Sequence, residues 1–134
     1  MNLEQNFKGF GDALANFLYS LAKSKATGVW TGEKVSNHVL SQALIFSKVG
    51  NPGGMDKHEK GDYVESFIAQ AWIDQVVTIE EAVDVLVEVL KTYDLEEDEQ
   101  KAMTDAFCSL LDYIQEKPEV PCTNPLRKFL GLIT

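Results

Sequence analysis

Apolar residues recurring at alternating steps of four and three run through most of this chain, and that spacing points to helices nearly throughout. Leu3, Phe7, Phe10, Leu14, Phe17 and Leu21 form the first such stripe. It has the form of a heptad seam. Its flanking positions hold Gly11, Ala13, Leu18 and Ser20, where a coiled coil would carry the charges that set its pairing. The stripe therefore predicts a bundle helix. Gly9 and Gly11 each weaken its first turns by about 1 kcal/mol relative to alanine, so the helix is expected to start properly near Asp12.

Breaks and caps divide the rest. The run Thr27-Gly28-Val29-Trp30 interrupts the first helix, and Thr31 is placed to cap a second carrying Val35, Val39, Leu40, Ala43, Leu44 and Phe46. Gly50-Asn51-Pro52-Gly53-Gly54 is the strongest break, because proline and three glycines cannot sustain a helix. Asp56 with Glu59 forms a capping box for a third helix through Tyr63, Val64, Phe67, Ile68, Ala71, Trp72 and Val76. Thr78 with Glu81 opens a fourth. There Val83, Val85, Val87 and Val89 alternate as a strand would, but Leu86 and Leu90 restore the helical spacing. Asp94 with Glu97 is a third capping box, before Met103, Ala106, Phe107, Leu110, Leu111 and Ile114. Pro118 ends that helix, and Asn124-Pro125 is placed to start a short terminal one over Leu126 to Leu130. The expected fold is all-α, a single-domain bundle of about five helices plus a short C-terminal helix, spanning residues 1–134.

Familiar reaction motifs fail on their chemistry. His58-Glu59-Lys60-Gly61-Asp62 begins like a zincin helix but has aspartate where the second histidine is required. Read as a calcium loop from Asp56, the same stretch places Lys60 among the ligands and Phe67 where a bidentate carboxylate belongs. Gly28-Val29-Trp30-Thr31-Gly32-Glu33-Lys34 has glycines and a lysine, but Glu33 would set an anion beside the phosphates of a P-loop. Nothing in the spacing links Cys122 to His38 or His58 as a nucleophile and base. No catalytic residue, metal site or cofactor is expected from these motifs.

The N-terminus, Met1-Asn2-Leu3-Glu4-Gln5-Asn6, lacks the basic and apolar regions of a secretory signal, and Gly131-Leu132-Ile133-Thr134 is not a lipidation box. With Cys108 and Cys122 as the only thiols, the expected compartment is the cytoplasm.

Charge is the feature that rises above background. Residues 1–60 hold seven lysines and five acids, a net of +2, while residues 61–134 hold sixteen acids and five basic residues, a net of -11. Glu80, Asp84 and Glu88 repeat every four residues, and Asp94, Glu96, Glu97, Asp98 and Glu99 crowd the start of the next helix. Acids at a helix N-terminus and on a solvated face need no partner to explain them. The functional reading is that they meet a basic protein surface. Two further candidates join them: Trp30 as a loop anchor, and Arg127, Lys128 and Phe129 as a tail that docks on a partner or folds back on the acidic helices.

The overall charge of -9 argues against coating nucleic acid, and no stretch has the roughly 18 apolar residues of a membrane span. The expectation is a non-enzymatic protein-binding module, an adaptor, inhibitor or small assembly subunit, with no direct nucleic acid and no membrane partner. Assembly with its own copies stays open. The opposing class is a small helical enzyme or ligand-binding protein with a pocket between helices.

Overall fold

The computed structural model describes residues 7–50 and 53–118. Five helices follow in order: α1 (Lys8–Thr27), α2 (Asn37–Phe46), α3 (Lys57–Ile73), α4 (Ile79–Leu90) and α5 (Leu95–Gln115). Their contacts close into a ring in which α1 touches α3 and α4, α2 touches α3 and α5, and α4 touches α5. One core fills the ring. Tyr19, Leu40, Phe67, Leu86 and Phe107 are among its fully buried members, one from each helix. No described helix is long and apolar enough to cross a membrane.

Local signals account for most boundaries. Asp56 and Thr78 form the two reciprocal capping boxes expected of them, with Glu59 and Glu81 respectively. Gly28 ends α1 in the left-handed conformation, and its N–H closes on the Ser24 carbonyl. In α4 the valines are helical: Val83 and Val87 are buried with Leu86 and Leu90, while Val85 and Val89 are half-buried.

Four expectations need correction. The first helix starts at Lys8, ahead of Asp12, and the heptad seam does not face the core as a unit. Leu14, Ala15, Leu18, Tyr19 and Ala22 are buried, whereas Phe10 and Phe17 are exposed. The third capping box does not form, since the Asp94 side chain accepts from the Glu96 N–H. Asp98 leaves helical geometry at φ -127° and ψ 33°, so the first turn of α5 is kinked. Cys108, expected as a buried small hydrophobe, is only half-buried.

The fourth concerns α2, which is capped by Ser36, five residues after Thr31. The intervening chain is held extended along α1. Thr31, Glu33 and Val35 donate their N–H groups to Ser24 Oγ at 2.9 Å, Ser20 Oγ at 2.7 Å and Asn16 Oδ1 at 2.8 Å. The two hydroxyls also donate to the carbonyls of Thr31 and Glu33, each at 3.3 Å. The match is geometric: two extended residues advance about 6.6 Å, and four helical residues advance about 6.0 Å. The segment therefore lies antiparallel to α1, one rung per helical step. The short helix expected over Leu126 to Leu130 lies outside the described residues.

Candidate functional site

α1 and α3 meet at a glycine. A Cβ on Gly11 would stand 2.5 Å from the Glu65 carbonyl oxygen and 2.9 Å from the Glu65 Cβ, closer than side-chain carbons pack. Only hydrogen at this position lets the two helices approach so closely. The next residue in α1 is Asp12, which is exposed. Across the crossing, Glu65 is 3% exposed and sits within an uninterrupted buried run over residues 64–71. Asp62 lies one turn before it, half-buried.

A second close approach fixes the same end of α3 against the start of α2. A Cβ on Gly61 would fall 2.7 Å from Asn37 Oδ1. Asn37 Nδ2 lies 2.7 Å from His58 Nδ1, and His58 Nε2 lies 3.5 Å from Asp62 Oδ2. The two glycines thus hold α1 and α2 close against α3, with Asn37, His58 and Asp62 linked in a chain and Asp12 next in sequence to the Gly11 contact. A carboxylate buried as deeply as Glu65 costs folding energy unless it is partnered, and both it and Asp62 are engaged.

The residues singled out by charge are placed differently. Glu80, Asp84, Glu88, Asp94, Glu96, Glu97 and Asp98 are all exposed on α4 and the start of α5. Asp84 meets Lys25 at 3.6 Å. Glu99 instead turns inward, accepting from the Tyr19 hydroxyl at 2.7 Å and pairing with Lys23 at 2.7 Å. Burial pushes the Glu99 carboxyl up, but the hydrogen bonds from Lys23 and Tyr19 outweigh it and hold the group below its ordinary value. Lys23 also reaches Glu33 at 3.3 Å, and Thr31 Oγ1 donates to that carboxylate at 2.6 Å. Glu99 therefore fastens α5 to α1, and Lys23 carries the connection on to the extended segment through Glu33. Trp30 is 87% exposed and does not fold over the core edge. Arg127, Lys128, Phe129 and Cys122 lie outside the described residues. An open groove of about 350 Å³ lies between the end of α1 and the α4–α5 corner, and neither His38 nor His58 lines it.

The comparisons with known proteins define the class. The family model of ribonuclease III matches residues 5–120, and the chain belongs to that family. No curated protein matches it. Membership overturns two expectations, the non-enzymatic protein-binding module and the exclusion of direct nucleic acid. The physical error is that net charge is a global sum while binding is local. The excess of acids sits in residues 61–134, and residues 1–60 carry a net of +2.

Sequence reasoning missed the α1–α3 crossing altogether. Its signal was an acid, Glu65, set between the buried positions Val64 and Phe67, together with a glycine in α1 read only as a helix weakness.

Proposed function

We propose that this domain acts on RNA, hydrolysing a phosphodiester at the crossing of α1 and α3, with Asp12, Asp62 and Glu65 as its acidic centre. The observation that carries the reading is the Gly11–Glu65 approach, which sets exposed Asp12 beside a helix bearing a buried acid, in a chain of the ribonuclease III family. Acids brought to one helix crossing are suited to proton transfer. In a hydrolysis, water oxygen bonds to phosphorus, the bond to one ribose oxygen breaks, and that oxygen leaves with a proton. A carboxylate takes one proton from the water and gives it up again, directly or through solvent, to the departing ribose oxygen. Asp12 is exposed and so open to substrate for that role, while Glu65 is buried and Asp62 is flanked by His58.

Nucleases of several kinds employ divalent cations held by carboxylates. Among the described residues, no group of three or more His, Cys, Asp or Glu stands close enough to enclose a metal ion, and no step is routed through one. A reducing, RNA-containing cytoplasm suits the free thiol of Cys108.

The test is to incubate a labelled RNA hairpin with the wild type and with Asp12→Asn, in buffers with and without magnesium. Cleavage by the wild type and a loss of about 100-fold or more in the variant support the reading, on the usual scale for removing an acid–base group. Equal cleavage by both proteins refutes the assignment of Asp12.

A further inference from the structure

Trp30 stands out among the exposed apolar residues. At 87% exposure it is more open than Phe10, Phe17, Val29, Ile45 or Phe46, yet it heads the extended segment that α1 holds at three rungs. We infer that Trp30, Gly32 and Lys34 form a contact strip for an RNA strand, in which an unpaired base stacks on Trp30 and Lys34 meets a phosphate. The inference rests on the RNA reading above and extends it away from the acidic crossing.

Three features argue for it. First, the strip is preorganised. The N–H groups of Thr31, Glu33 and Val35 point to α1, so alternation along an extended chain turns the backbone edges of Trp30, Gly32 and Lys34 outward. Gly32 has no side chain, and a Cβ there would meet nothing within 4 Å, so neither its own side chain nor a neighbour crowds a phosphate approaching that point of the backbone. Second, the charge is suitable. Lys34 is exposed and makes no ion pair among the described residues, and the strip belongs to the half of the chain with a net of +2. Third, the strip leads to the acidic crossing. Its rungs on α1 are Ser24, Ser20 and Asn16, and Asp12 is the next residue at the same spacing. From Ser24 to Asp12 is about 18 Å along the helix axis, roughly five nucleotide steps at 3.4 Å each. An aromatic platform at that remove holds a strand in register without touching the reacting phosphate.

A protein strand pairing with the same outward edge would use the backbone and not require the indole to stack. Family membership and the lysine favour RNA, and the experiment separates the two.

The test measures binding of a single-stranded 12-nucleotide oligouridylate and of an RNA hairpin by fluorescence anisotropy. The proteins are the wild type, Trp30→Ala and Lys34→Ala, with Trp72→Phe used to follow Trp30 emission alone. Stacking predicts that Trp30→Ala binds the oligouridylate about 5-fold to 100-fold more weakly, with an unchanged melting temperature because the side chain is exposed. It also predicts quenched Trp30 emission on RNA binding, and a salt dependence of affinity reduced by about one phosphate contact in Lys34→Ala. Wild-type affinity in Trp30→Ala with unquenched emission overturns the strip while leaving the RNA reading intact, and points to a protein occupant instead. Absence of RNA binding by the wild type overturns both.

Discussion

Replacing Gly11 with alanine tests the α1–α3 crossing directly. The added Cβ meets backbone, at 2.5 Å from the Glu65 carbonyl oxygen and 2.7 Å from its carbonyl carbon, so no flexible side chain can swing aside. One of the two helices must move. Overpacking of a tight interior contact costs about 1–3 kcal/mol, and a clash with backbone belongs at the upper end, about 3 kcal/mol. Alanine recovers about 1 kcal/mol through its better helix propensity. The balance is a loss of about 2 kcal/mol, which for a domain of this size lowers the melting temperature by roughly 6–10 °C. Gly9 is the control on the same helix, for a Cβ there meets nothing within 4 Å. Gly9→Ala should therefore raise the melting temperature by up to about 4 °C through the same propensity gain. Differential scanning calorimetry on the three proteins reads both shifts. A Gly11→Ala protein that melts at or above the wild type refutes the close approach on which the site rests.

Other consequences follow from the fasteners of the fold. Glu81 accepts from Lys117, Tyr113 and the Thr78 N–H, in that order of weight, and its carboxyl is held down at about 2 against an ordinary 4.5. Its folded value being the lower one, its stabilisation is complete above pH 4.5 and is lost as pH falls from there toward 2. Glu81→Gln should therefore flatten the acid limb of the stability curve, as urea titrations across pH 2–6 would show; an unchanged limb contradicts the assignment. Ser20→Ala removes the middle rung under the extended segment and leaves the Glu33 N–H without its acceptor. It should cost about 1 kcal/mol in chemical denaturation and lower the fluorescence anisotropy of Trp30 in a Trp72→Phe background. Unaltered anisotropy would mean that the rungs do not hold the strip.

The fold was largely legible because its determinants are local. Apolar spacing located all five helices, and the Asp56–Glu59 and Thr78–Glu81 boxes marked two starts, since a cap involves residues three apart. The start of α2 was missed because its cause is non-local: Ser20, Ser24 and Asn16 offer α1 acceptors that capture residues 31–35 before a helix can begin. The same holds for the site. Asp12 and Glu65 are 53 positions apart in the sequence, and nothing along the chain announces that a glycine brings their helices together. Charge misled for a related reason. The acids of α4 and α5 are conspicuous and exposed, whereas the carboxylates proposed to do chemistry are fewer, and one of them is buried.

The central claim is that Asp12 serves the chemistry at the α1–α3 crossing and not the grip on RNA. Single-turnover cleavage of a labelled hairpin by wild type and Asp12→Asn, with affinity measured in parallel, tests it most directly. The account predicts an affinity within a few-fold of wild type and a cleavage rate reduced by about 100-fold or more. A variant that cleaves at the wild-type rate, or one whose slower cleavage is matched by an equal loss of affinity, contradicts it.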